Sequence, residues 1–109
     1  MGNRKVKEMS VYQAEENWPV VTYFKEEMLR KLIKNNHKGG WEDDSMHALI
    51  SRLKDELGEL ESALEAFENL PINLKEQESI KTVFKDAIRA EAADVGNFAM
   101  MIFDNTKNL

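Results

Sequence analysis

Apolar residues recur at helical spacing in three stretches of the chain, separated by short breaks. From residue 18 to about 36, Val21, Phe24, Met28 and Leu32 mark one face, and Leu29 and Ile33 widen it. Lys25, Glu26, Arg30, Lys31 and Lys34 fill much of the remainder, so the pattern predicts an amphipathic first helix. Asn17 is expected to cap it and Pro19 suits its first turn. Asn35 to Trp41 interrupts the pattern, and the adjacent Gly39 and Gly40 permit a tight backbone path. Residues 45–69 then carry Met46, Leu49, Ile50, Leu53, Leu57, Leu60, Leu64 and Phe67 in steps of three and four. Asp or Ser among residues 42–45 is placed to cap this second helix.

Leu70-Pro71-Ile72-Asn73 breaks the pattern again, and residues 74–78 are expected to form a turn of helix of their own. Residues 79–105 form the third main helix, with Ile80, Val83, Phe84, Ala87, Ile88, Val95, Phe98, Ile102 and Phe103 on its apolar face. Residues 1 to about 16 show no sustained period and read as an N-terminal arm. The helical domain is placed at 17–109. Two prolines and five glycines in 109 residues favour an all-α fold. The expected arrangement is an antiparallel bundle of three main helices, completed by oligomerisation, because so short a chain buries a modest core. Met100 to Phe103 is apolar on more sides than one helix face needs, which points the same way.

The positions of the acidic residues change this picture from architecture to chemistry. Glu56 and Glu59 are spaced i, i+3, as are Glu91 and Asp94, so each pair shares one face of its helix. With Leu53 at the centre of its stripe, Glu56 falls roughly 60° away on the shoulder, and Glu59 lies beyond it on the same side. Glu91 is more unusual. Phe84, Ile88, Val95, Phe98 and Ile102 all lie within roughly 60° of it, so a carboxylate projects from the middle of an apolar stripe. Four carboxylates on two neighbouring helices are costly to bury without a cation. A hard divalent ion with oxygen ligands removes that cost, and magnesium is the expected one, with manganese as the substitute. Salt bridges to Arg52 or Arg89 are the plain alternative. A di-iron site is disfavoured, since that chemistry uses Glu-x-x-His on two helices and this chain has only His37 and His47. Gly58, inside the second helix, is a place where a ligand or a neighbouring helix could approach closely.

Charge and composition narrow the partners. A formal net charge of -5 argues against a nucleic-acid duplex, but not against a single nucleotide bridged by metal. The absence of cysteine excludes thiolate metal sites and thiol nucleophiles. No apolar run reaches the length of a membrane span or a signal segment, so no membrane partner is expected and the cytoplasm is the default location.

Asp55-Glu56-Leu57-Gly58-Glu59-Leu60 followed by Glu91-Ala92-Ala93-Asp94-Val95 resembles the MazG-like all-α nucleoside triphosphate pyrophosphohydrolases, whose hallmark is E-x-x-E followed after a gap by E-x-x-D. The resemblance covers roughly residues 20–104, and the Lys38-Gly39-Gly40-Trp41 loop is similar to the segment that short members carry before the first acidic pair. Asp55 stands where many members have the first Glu of an E-E-x-x-E run. The resemblance implies magnesium-dependent hydrolysis of an NTP or dNTP to the monophosphate and pyrophosphate, by a homodimer or homotetramer. It implies Glu56, Glu59, Glu91 and Asp94 as metal ligands, and Glu56 or Asp55 as the carboxylate that orients the attacking water. Lys38 would meet a phosphate and Trp41 would stack on a base, against the plainer readings of an exposed loop lysine and a plug at the bundle end. Asn97 matches a polar position after E-x-x-D, where it would touch substrate, orient Asp94 or make an interhelical hydrogen bond. The rival class is a non-catalytic helical module that binds nucleotide or another protein.

Overall fold

The computed structural model describes residues 8–109, and they are helical with no strand. Part of the expected arm, residues 1–7, lies outside the described residues. The rest of that arm is ordered: α1 spans Val11–Asn17. Its start is local chemistry rather than periodicity. Ser10 and Gln13 form a capping box, with the Ser10 hydroxyl accepting from the Gln13 amide at 3.1 Å and the Ser10 amide donating to Gln13 Oε1 at 2.9 Å. Asn17 is therefore not the cap of the next helix. It ends α1, and Trp18 occupies the cap position of α2, Pro19–Lys34, without a side-chain capping bond.

A 3-10 turn at Asn36–Lys38 closes α2, and Gly39 adopts φ +84°, where a Cβ would be strained. Helix α3 spans Met46–Glu68, capped by Ser45, whose hydroxyl accepts from the Ala48 amide at 3.0 Å. A short α4, Ile72–Lys75, follows Pro71, and α5 runs Glu78–Asn105 before a last 3-10 turn at Thr106–Asn108. The three long elements and the intervening turn thus fall within a few residues of their predicted bounds.

Helix α5 is common to both main packing interfaces, with α3 and with α2. Against α3 the pairing runs in opposite directions. Phe67 meets Phe84 at one end, with ring centroids 5.6 Å apart. At the other end Asn105 donates to the carbonyls of Trp41 and Asp44, just before α3 begins. Against α2, the Asn97 amide donates to the Met28 carbonyl at 3.0 Å. Small residues make this approach possible. Ala93 is completely buried, and a Cβ on Gly96 would stand 2.6 Å from Phe24 Cζ and 3.2 Å from Met28 Sδ.

Little of the chain is sealed off. Leu49, Ala93 and Phe98 are its buried apolar residues among those described, whereas Val20, Tyr23, Ile33, Val83 and Phe103 are each more than half exposed. The radius of gyration is 18.0 Å, where a compact domain of this length has about 13 Å. The accessible surface is 8875 Å², against about 6200 Å² for a compact monomer of this mass. Among the described residues nothing lies within 4 Å of a Cβ built on Gly58, so none of the described helices packs closely against that glycine.

Two substitutions separate packing from propensity. Leu49→Ala truncates the largest fully buried side chain among the described residues and should cost about 2–4 kcal/mol in urea unfolding. Gly58→Ala meets no obstacle in an exposed helix interior and should add about 0.5–1 kcal/mol. A loss at Gly58 would show that something outside this chain packs there.

Candidate metal centre

The opposed directions of α3 and α5 bring the two acidic pairs to the same level of the seam. Glu56, Glu59 and Glu91 each offer a carboxylate oxygen, and these oxygens lie within 4.8 Å of one another. Glu59 is exposed, while Glu56 and Glu91 are half-buried. Glu56 Oε2 and Glu91 Oε2 are shielded from solvent and have no hydrogen-bond partner. Unpaired acceptors in such a place are expensive unless something positive or protonated meets them.

The electrostatics follow. Glu56 is pushed up to about pKa 7, first by burial, then by its hydrogen bond with Glu59 and by the charges of Glu59, Asp94 and Glu91. Glu91 is also raised, chiefly by burial, then by the charges of Glu59 and Asp94 and a hydrogen bond with Glu59, with Lys31 opposing. Without a cation the cluster resists full ionisation. The donors are oxygen only, which suits a hard ion such as Mg²⁺ or Mn²⁺ rather than a thiophilic metal. The two orphaned oxygens are where such an ion would find ligands.

Asp94 stands beside the cluster but is held differently. Lys31, from α2, reaches its Oδ2 at 3.2 Å, and both side chains are largely shielded. Neither arginine of the plain alternative fills that role. The Arg52 guanidinium lies 4.6 Å above the Phe98 ring, and Arg89 lines a separate groove with Val20, Tyr23 and Phe24. A single helix's sequence shows only its own cations, whereas this one arrives from the next helix.

A cavity of about 580 Å³ opens at this level. Glu56, Glu59 and Asp94 line it together with Lys31, Lys34, Lys38 and Arg52, so carboxylates and cations share one basin. Gly39, Gly40 and Trp41 contribute to its wall. Trp41 is half-buried and its indole N–H donates to Asp104 Oδ2 at 3.0 Å. Lys107 first, and Trp41 second, hold the Asp104 carboxyl below its usual range. Asn97 is 4% exposed and also lines the cavity; its Nδ2 makes the interhelical bond to Met28, and its Oδ1 has no partner. Asp55 is exposed and not among the lining residues, so the structure does not bring it to the other carboxylates.

Sequence reasoning missed Lys31 and Asn105. Lys31 looks like any charge on a solvated face. Asn105 lies at the end of α5, where polar residues read as fraying, yet it is buried and stitches that end to the loop carrying Trp41. Comparison with protein-family models, curated proteins and solved structures gave no match. The chemistry of the cluster is therefore inferred from its own side chains.

The raised Glu56 carries a pH signature. Its folded pKa, about 7, exceeds the ordinary 4.5, so between these values the folded protein holds more protons than the unfolded chain. The stabilisation is complete below the unfolded value and is lost as pH rises through the folded one. Metal-free protein should therefore lose roughly 1–3 kcal/mol between about pH 5 and about pH 8 in urea titrations, and Glu56→Gln should flatten most of that slope.

Proposed function

We propose that the chain is a magnesium-dependent nucleotide pyrophosphohydrolase of the MazG-like kind, converting an NTP or dNTP to the monophosphate and pyrophosphate. The observation that carries this reading is the convergence of Glu56, Glu59 and Glu91 on one spot, with two shielded oxygens lacking partners, at the edge of a basin that Glu56, Glu59 and Asp94 line together with four cationic side chains. Carboxylates alone would repel a triphosphate, and cations alone would not hold a metal. The two together suit a metal–polyphosphate ligand.

Glu56, Glu59, Glu91 and Asp94 are the residues that would hold magnesium, or manganese in its place. When bound, the ion supplies charge neutralisation at the phosphates and a more acidic water. Lys34, Lys38 and the Arg52 guanidinium offer donors to phosphate oxygens. A water oxygen attacks the α- or the β-phosphorus, the bond from that phosphorus to the bridging oxygen breaks, and the two halves separate as the monophosphate and pyrophosphate. The water's proton passes to a carboxylate and then to solvent. Glu56 is better placed for that task than Asp55, because it lines the cavity and Asp55 does not. Trp41 retains a place in the wall against which a base can lie, although its N–H is already committed to Asp104.

The helices are read as a bundle finished by a second copy, in a homodimer or homotetramer working in the cytoplasm. The exposed apolar residues of α2 and the excess accessible surface support this assembly. Among the described residues no helix is long and apolar enough to cross a membrane. The rival, a non-catalytic helical module, draws on the Lys31–Asp94 pair, which shows that a side chain can neutralise part of the acidic cluster.

A panel of NTPs and dNTPs, assayed for pyrophosphate with and without Mg²⁺, separates the two. Turnover should require the metal, and Glu91→Gln should reduce it at least about a hundredfold while circular dichroism stays helical. Absence of metal-dependent turnover with every nucleotide would leave the rival standing.

A further inference from the structure

Among the described residues Lys31 is the one cation that forms an ion pair with any of Glu56, Glu59, Glu91 and Asp94, and it comes from a helix that contributes none of those carboxylates. Its Nζ sits 3.2 Å from Asp94 Oδ2, with the two side chains 27% and 22% exposed. Asp94 is thus paired with a cation from α2, whereas Glu56, Glu59 and Glu91 converge without one. The root of Lys31 is fixed, because one turn earlier the Met28 carbonyl accepts from buried Asn97. Its head is not fixed: the ammonium is a point charge on a four-carbon stem. The same cavity holds Lys34, one turn further along α2, and Lys38.

Resting on the metal-centre reading above, we propose that Lys31 is an internal counter-ion that a divalent cation displaces from Asp94, after which the freed ammonium engages the phosphates of the nucleotide. The two cations compete for one carboxylate. Glu56, Glu59 and Glu91 would hold a divalent ion more firmly than Asp94 alone holds an ammonium, and the ammonium beside that ion would be repelled. The cavity offers the displaced head one class of anion to move toward, a polyphosphate entering past Lys34 and Lys38. Lys31 is thus a positioning residue that couples metal uptake to phosphate binding. The coupling has a sign that a purely structural salt bridge lacks: removing the lysine helps one ligand and harms the other.

The experiment measures Mn²⁺ binding by electron paramagnetic resonance, and binding of a non-hydrolysable nucleoside triphosphate at saturating Mn²⁺ by calorimetry. Lys31→Met should bind Mn²⁺ roughly five- to tenfold more tightly than wild type in the absence of nucleotide, and the triphosphate roughly tenfold more weakly. Lys34→Met, which removes equal charge from the same helix without touching Asp94, should leave Mn²⁺ affinity within about twofold. A Lys31→Met protein that binds Mn²⁺ no tighter than Lys34→Met, or that keeps wild-type affinity for the triphosphate, overturns the proposal. Should Lys31→Met fail to fold, wild-type protein carrying ¹³C-methylated lysines reports instead. Its Lys31 resonance should shift on adding Mg²⁺ and again on adding triphosphate, and an unmoved resonance overturns the proposal. Wild-type protein that takes up no Mn²⁺ would bring down the metal centre itself, a result distinct from metal uptake that is indifferent to Lys31.

Discussion

The structure depends on placing like charges together where water cannot fully reach them. Three carboxylates from two helices meet within 4.8 Å, and two of their oxygens are shielded and unpartnered. Hydrophobic packing alone would put Leu or Ile at Glu91, which shares its helix face with Ile88, Val95 and Phe98. The chain instead accepts a carboxyl group whose pKa is raised, chiefly by burial. Such an arrangement is stable only when another part of the molecule, or a ligand, answers the charge. The cavity, the cations that line it and the loop above it are all answers of that kind.

Helix α5 organises those answers because its two sides do different things. The side toward α3 carries Glu91 into the seam. The side toward α2 is made thin by Ala93 and Gly96, so that Phe24 and Met28 come close and Lys31 arrives at Asp94. Small residues here do not fill space; they set the distance from which a lysine on one helix reaches an aspartate on another. The aromatic face of Phe98 does similar work for Arg52, holding a guanidinium at the cavity wall by stacking rather than by an ion pair.

How far the sequence could be read follows from the range of the interactions involved. Helices α2, α3 and α5 were legible because apolar periodicity is a property of one segment, and Ser45 marked its cap within three residues of the amide it serves. The i, i+3 spacing made each acidic pair legible as one face of its helix, and of the four expected carboxylates Glu56, Glu59 and Glu91 converge while Asp94 pairs with Lys31. Helix α1 was missed, since its signal is the Ser10–Gln13 box and not a stripe. Asn17 was misassigned because two helices abut there with a single residue between them. Lys31 and Asn105 were invisible for a different reason: their partners lie on other elements, and no local pattern separates them from solvated residues.

That difference in range bears on the order in which the molecule assembles. The hydrogen bonds joining Lys31 to Asp94, Trp41 to Asp104, Asn97 to Met28 and Asn105 to Trp41 and Asp44 all span between 61 and 69 residues of chain. Each helix can nucleate from its own neighbours within microseconds, but none of these links exists until a long loop has closed. Helical turns can therefore form before the cavity can, and the indole N–H of Trp41, bonded to Asp104 across 63 residues, reports the closing of that loop.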